Sequence, residues 1–440
     1  MKTNPFALSM LKNRFVLSVL AIAIGLGTSF IIPSAEKSAT VVGGYQATTC
    51  PALGGGYSSV ELTNTTVGIR PVTPKSTKLI LHHQTFRQLN NSPLYVDSTF
   101  GSAYTLTSQG GGGGVAAALC QPGSAEQWFV GGSGGLTSTG VLEMVNSGFS
   151  PSTVEIHPYS SAASLPPVTV KIPANSENRL RVDALVPGDE LMALDVITRS
   201  GRVTSFLFDQ RNKGLRSLGM DYAAGSAAPA THIVIPVGLN PSTQNGKVAN
   251  SLRLLVPGPL DATVTMQIVS ADGAFTPVGF DSRKVARGKV IQLPINNLIL
   301  TSPFSVVIDS DRPVVAGLFT QTPYGDFAWG AATTPFTRMA LNMAGLQPTL
   351  VLTGSQFRVS VQMVLANGKR TTRELTGDSF LTWNPGGAVK SLALYSEGSK
   401  PVYGGLLIRS ANGFTYLPVQ SNTTPTQTLL PVTDVHTLTR

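Results

Sequence analysis

The sequence is short of charge, of cysteine and of aromatic rings, and each shortage narrows what the chain can be. Charged residues are 12% of 440 positions and hydrophobic ones 42%. A chain so apolar is not intrinsically disordered, and it has ample material for buried cores. Its length allows two to four domains. Basic clusters are also missing. The net charge is +9 and the pI near 9.6, yet Lys and Arg are scattered singly. The densest groups, Lys369-Arg370 with Arg373 and Arg283-Lys284 with Arg287, sit beside turn-like glycines. A nucleic-acid protein concentrates its cations on a stripe interleaved with aromatics, so no nucleic-acid partner is expected. The excess predicts diffuse attraction to anionic surfaces such as wall polymers or lipid head groups.

Acidic residues are absent before Glu36. Lys2, Lys12 and Arg14 precede an uncharged run from Phe15 to Ile32. A positive flank, an apolar run and then a polar chain form the pattern of an export signal with the N-terminus inside. As a helix the run would be about 27 Å long, just enough for a bilayer core. The nearest cleavage-like site, Pro33-Ser34-Ala35, has proline in the wrong place. An uncleaved signal anchor over 15–32, placing the rest of the chain outside the membrane, is therefore expected, with secretion after cleavage as the alternative. No cysteine closes the run, which argues against lipid attachment there. Beyond an export signal, two cysteines with none left over, Cys50 and Cys120, predict one disulfide.

What is abundant is punctuation. The 45 glycines and 30 prolines leave no stretch after Thr40 with a convincing helical apolar period. Short apolar or alternating runs recur at strand-and-turn spacing, as at Lys78–His82, Val141–Val145, Thr153–His157, Thr263–Val269 and Phe304–Ile308. This is an all-β signature. Self-comparison finds a repeat. Val141–Val145, Thr153–Ile156, Arg179–Val182 and Val203–Phe208 reappear, in nearly constant register, as Leu252–Val256, Thr263–Met266, Val290–Leu293 and Val314–Phe319. A third copy begins at Leu350, and its Lys400–Leu407 echoes Arg312–Phe319. Such a repeat is too long for a solenoid and suits a β-sandwich of about seven strands. The expected architecture is tandem immunoglobulin-like β-sandwich domains after one N-terminal transmembrane or signal helix (1–40). Sandwiches are expected over 126–228, 229–340 and 341–420, with a final strand or tail over 421–440. Residues 41–125 hold both cysteines, and form either a small β domain or strands that complete the first sandwich.

Chemistry-bearing patterns are few. Gly131-Gly132-Ser133-Gly134-Gly135 satisfies G-x-S-x-G, but a nucleophile elbow needs a following helix, and here another strand follows. Gly110–Gly114 lacks the Lys-Ser/Thr and the βαβ context of a nucleotide loop. Of five histidines, His82, His83, His157, His232 and His436, only the first two adjoin, and on a strand they point to opposite faces. No metal site and no cofactor are expected. Asp209, Asp221 and Asp326 fall at strand ends or in the loops after them. They could pair remotely as glycosidase carboxylates, or Asp209 and Arg211 could brace a turn. Trp329, beside Asp326, could stack on a sugar ring or pack at a domain junction. Asp209, Arg211, Asp221, Asp326 and Trp329 are the candidate ligand contacts, and no catalytic residue is assigned.

Several segments carry a resemblance. They are Cys120-Gln121-Pro122-Gly123, Gln127 to Gly132, Phe208 to Arg211 with Gly214-Leu215, Gly219 and Asp221-Tyr222, Ala228 to Thr231, Leu252 to Gly258, Asp311 to Gly317, and Asp326 to Trp329. Over roughly residues 45–420 the chain resembles an uncharacterised actinobacterial family of secreted or membrane-anchored proteins, a domain of unknown function. Gln127 departs from that pattern, where an aromatic beside Trp128 is expected. The resemblance implies export, an all-β ectodomain and no established activity. It hints at wall-polymer assembly, because members tend to be encoded near envelope glycosyltransferases. The function expected is a non-catalytic envelope scaffold or binding module, with the membrane as one partner and a wall polymer or envelope protein as another. The alternative is a carbohydrate-binding or carboxylate-dependent glycan-processing protein, using Trp128, Trp329 or Trp383 for stacking.

Overall fold

A computed structural model describes residues 40–42 and 47–429. Within that span it leaves out 53–56, 63–66, 74–77, 84–85, 89–91, 98–102, 111–112, 241, 244–245, 296–299, 301, 324, 344–345 and 422–426. The expected anchor at 15–32, the cleavage-like site and His436 lie outside the described residues. Among the described residues no helix is long and apolar enough to cross a membrane.

The fold is all-β. Its one α-helical element among the described residues is the turn Val182–Leu185. Two compact parts are separable, one holding 1–44 with 425–440 and the other 45–424. In the first, strand Thr40–Val42 pairs antiparallel with Gln427–Leu429. The second is built from one pattern used four times. Residues 48–119, 126–223, 230–331 and 338–419 each carry eight strand positions in two sheets, and the third adds a hairpin, Ser242–Thr243 with Gly246–Lys247, and a short strand, Gly273–Phe275. One sheet is ordered first-sixth-third-fourth and the other fifth-second-seventh-eighth. We refer to these as modules I to IV. In module III the sixth and seventh strands run together as Phe304–Gln321, whose first half pairs in one sheet and second half in the other.

The sequence repeat falls on equivalent strands. Val141–Val145 and Leu252–Val256 belong to second strands, Arg179–Arg181 and Val290–Leu293 to fifth strands, and Val203–Phe208 and Val314–Phe319 to seventh positions. Residues 48–119 do not complete the neighbouring module, since their strands pair only among themselves as two sheets of the same order. Module I's strands are three to six residues long, too short to stand out in a self-comparison.

Why these residues form these sheets is legible in the burial. Between the two sheets of module II lie Leu142, Met144, Val154, Ile156, Leu194, Val196 and Leu207. Equivalent clusters fill module III, around Leu252, Leu254, Met266, Ile268, Val306 and Ile308, and module IV, around Leu350, Leu352, Val359, Val361, Leu392 and Leu394. The outer face of the second sheet is buried as well. Val145, Phe206, Phe208 and Tyr222 of module II meet Ala116 and Ala118 of module I. Trp128, Val130 and Ala193 of module II meet Leu255, Val290 and Val315 of module III. Val237, Leu239 and Ala328 of module III meet Val351, Leu407 and Tyr416 of module IV. A sheet covered on both faces is encoded by continuous apolar runs rather than clean alternation. Strand Gly114–Leu119 is buried at every residue.

Cys50 and Cys120 are disulfide-bonded across 70 residues, joining the first strand of module I to the residue after its last. Both are buried in that module's core. The chain-entropy model gives such a loop roughly 4 kcal/mol. In the isolated protein, thiol labelling is expected only after reduction. Cys50→Ser is expected to lower stability to urea by about 2–5 kcal/mol.

Candidate functional site

The eighth strands of the four modules close on one another. Gly114–Leu119, Arg216–Ala223, Phe327–Ala331 and Gly413–Val419 are each edge strands of their own sheets. They pack in a cycle, the first on the second and fourth, and the third on the second and fourth. Asp209, Arg211, Asp221, Asp326 and Trp329 all meet at this closure.

Trp329 lies in module III's eighth strand yet joins module II's core cluster, and it is 2% exposed. Asp209 and Asp221 are cross-strand neighbours in module II's last hairpin, and each takes one donor from Trp329. The backbone N–H of Trp329 donates to Asp221 Oδ2 at 2.7 Å, and its indole Nε1–H to Asp209 Oδ2 at 3.1 Å. Asp209 Oδ1 accepts Ser138 Oγ at 2.7 Å, and its Oδ2 accepts Arg211 Nε at 3.1 Å. Thr415 of module IV donates its hydroxyl to Asp221 Oδ1 at 2.7 Å. Burial drives the Asp221 carboxyl well above the ordinary range, against the pull of the Trp329 N–H and the Thr415 hydroxyl. Two carboxylates directly opposite on a hairpin would repel. Here one is paired with Arg211 and the other is pushed toward its neutral form.

Two guanidinium groups lie against the same indole. Arg253 Cζ of module III is 4.6 Å from the Trp329 ring centroid, and Arg211 Cζ is 5.6 Å from it. Arg211 also lies 4.6 Å and 4.8 Å from the rings of Phe319 and Phe327. Desolvated cation–π contacts of this kind are worth up to about 2 kcal/mol each. Arg253 is buried, and it donates to the carbonyls of Gly132 at 2.7 Å, Met192 at 3.2 Å and Glu190 at 3.0 Å, all in module II. Burial, helped by the charge of Arg211, pulls its guanidinium down to about 9, so it stays charged at neutral pH.

Asp326, just before module III's eighth strand, sits where the others converge. Its Oδ2 accepts the backbone N–H of Phe414 in module IV at 2.9 Å. Burial raises its carboxyl to about 7. Gly219 of module II and Gly413 of module IV both have positive φ, and a Cβ on either would come within 2.5 Å and 2.1 Å of the Asp326 carboxylate. Only glycine fits both the backbone conformation and the approach.

Three further interface charges were not singled out from the sequence. Arg70 of module I donates to Asn175 Oδ1 and, at 2.6 Å, to the carbonyl of Ser147 in module II. Glu143 of module II is fully buried, accepts Ala52 N–H of module I at 3.4 Å, and pairs with Arg179 at 3.3 Å. Burial outweighs that partner and raises its carboxyl. Glu61 of module I, raised to about 7 by burial, accepts Asn342 Nδ2 of module IV at 3.3 Å. The signal that could have found Glu143 and Arg253 is a lone charge inside an apolar strand: Leu142-Glu143-Met144 and Leu252-Arg253-Leu254.

Two of the three candidate carboxylates, Asp209 and Asp221, are 0% exposed, and all three accept internal donors. The stacking candidates fare alike, since Trp128 is 4% exposed and its indole donates to Glu126. Trp383 packs partly buried against module IV's core. A shallow depression beside the closure is lined by Leu119, Gln121, Gln127, Phe206, Tyr222 and Pro418 among others. Among the described residues no group of three or more His, Cys, Asp and Glu could hold a metal ion.

These features define a class: an all-β chain of repeated two-sheet modules welded by buried charges. Residues 90–376 match the DUF5719 family, a family of unknown function, and the chain belongs to it. The match covers the motif residues around Gln127–Gly132, Asp209, Asp221 and Trp329, within the broader 45–420 span of the resemblance. No curated protein matches the sequence. Among solved structures, the tetra-tandem repeat in the extending region of a large adhesion protein aligns at 12% identity and a TM-score of 0.11. That alignment covers 82% of this chain and 90% of the other.

Trp329→Phe keeps a ring but removes the donor to Asp209, and is expected to cost about 1–3 kcal/mol in urea unfolding. Trp329→Ala is expected to cost about 3–5 kcal/mol. The raised carboxyls of Glu61, Glu143, Asp221 and Asp326 bind protons more tightly folded than unfolded. Their stabilisation is full below the unfolded carboxyl range and is lost as pH rises through the raised values. The urea midpoint should therefore fall between about pH 5 and about pH 8, and Asp326→Asn should flatten part of that fall. A midpoint that rises over this interval would contradict the assignment.

Proposed function

We propose that the chain is a non-catalytic scaffold or binding module of an actinobacterial cell envelope. It is held at the membrane by residues 15–32, with the N-terminus inside and the modules outside, and it holds a wall polymer or an envelope protein near that surface. Each pair of sheets is an immunoglobulin-like β-sandwich, so the chain is a block of four such sandwiches rather than three.

The observation that carries the reading is the fate of the carboxylates. A glycosidase needs two carboxyl groups flanking an open cleft. Asp209 and Asp221 instead face each other in a closed interior and are saturated by Trp329, Ser138, Arg211 and Thr415. Export is supported by the Cys50–Cys120 disulfide, since such bonds persist outside the reducing cytosol, and by the basic-flanked apolar run. The net charge of +9 suits an anionic wall or membrane surface.

Photo-crosslinking of the full chain in cells, from positions on the module surfaces, is expected to capture an envelope protein or wall polymer. The purified protein is expected to release no product from envelope glycans. Glycan turnover by the purified protein that disappears in Asp326→Asn, with the variant still cooperatively folded, would overturn the reading.

A further inference from the structure

The fourth strand is an outer edge in every module, and in three of them it carries charge. Module II has Val168–Ile172 with Lys171, module III has Arg283–Val285 with Arg283 and Lys284 next to the uncharged Gly273–Phe275, and module IV has Arg370–Gly377 with Arg370, Arg373 and Glu374. Charged side chains on an edge guard it against unwanted pairing. Module I departs from this. Its fourth strand is Ile80–His82, and Leu79, Ile80 and Leu81 are 42%, 55% and 66% exposed. Neighbours on a strand point to opposite faces, so both faces of this edge present apolar side chains to solvent. A protein partner laid on one face would leave the other bare. A fluid apolar medium can take all three.

We propose that Leu79, Ile80 and Leu81 dip into the interface of an anionic lipid bilayer, laying module I on the membrane. The exposed Lys78 beside them supplies the cation for lipid phosphate, the usual company of a shallow apolar insertion. Residues 33–46 separate the apolar run from module I, and fourteen residues span at most about 50 Å. The inference rests on the reading that residues 15–32 tether the chain.

The test uses the full chain carrying Ile80→Trp, reconstituted into vesicles of phosphatidylcholine and phosphatidylglycerol with brominated acyl chains. The three native tryptophans are subtracted using the unsubstituted protein. The insertion predicts loss of most of the added emission relative to unbrominated vesicles. It also predicts recovery of that emission in a triple variant with Leu79→Glu and Leu81→Glu, while the protein still floats with the vesicles through its tether. Flotation without quenching would overturn the insertion and leave the tether standing. Quenching that is absent while Ile80→Trp copies crosslink to each other would assign the edge to a second copy of the chain instead. Failure to float would remove the tether and the insertion together.

Discussion

Trp329 extends from one module into the core of its neighbour and there donates to two carboxylates that face each other across a hairpin. The modules' fit follows from that contact. Removing either partner would strand a polar group in a dry interior, and such a group costs far more than a surface hydrogen bond returns. The same logic recurs at the other contacts. Arg253 reaches from module III to the carbonyls of module II, Arg70 from I to II, and Glu61 from I to IV. Each junction joins apolar packing, which is tolerant of small shifts, to a charge that accepts one geometry.

The inner sheets explain why the modules cannot be read as beads on a string. In a free two-sheet module the outward face of each sheet would be polar. Here the outward face of the fifth-second-seventh-eighth sheet is largely apolar in modules II to IV, because it is the interior of the next contact. Their eighth strands, edges within their own sheets, are covered by one another. Burial there is what moves the carboxyls of Asp221 and Asp326 upward, so the perturbed acidities mark a weld. Perturbed carboxyls often mark active sites; here Asp221 is fully buried and Asp326 partly so.

Much of the fold was legible. Alternation with Gly and Pro punctuation gave an all-β chain, and the offset repeat from Val141 to Leu252 fell on equivalent strands. Module I was harder to see because its strands are short and its apolar runs broken. The five residues named as candidate ligand contacts, Asp209, Arg211, Asp221, Asp326 and Trp329, converge at the closure. Their surroundings were not legible, because no local pattern reports that Thr415 and Ser138 approach from far along the chain. Glu143 and Arg253 went unnoticed although each stands alone between apolar residues, where a strand with both faces buried leaves a charge only an interface to occupy.

Modules joined through one closure should resist opening as one body. Hydrogen exchange under native conditions tests this most directly, by comparing the amides of Gly114–Leu119, Arg216–Ala223, Phe327–Ala331 and Gly413–Val419. If the closure holds the modules together, these four strands exchange at a common slowest rate, set by global unfolding, and Trp329→Ala accelerates all four together. Four distinct rates, with the substitution confined to modules II and III, would mean independent domains and would contradict the account.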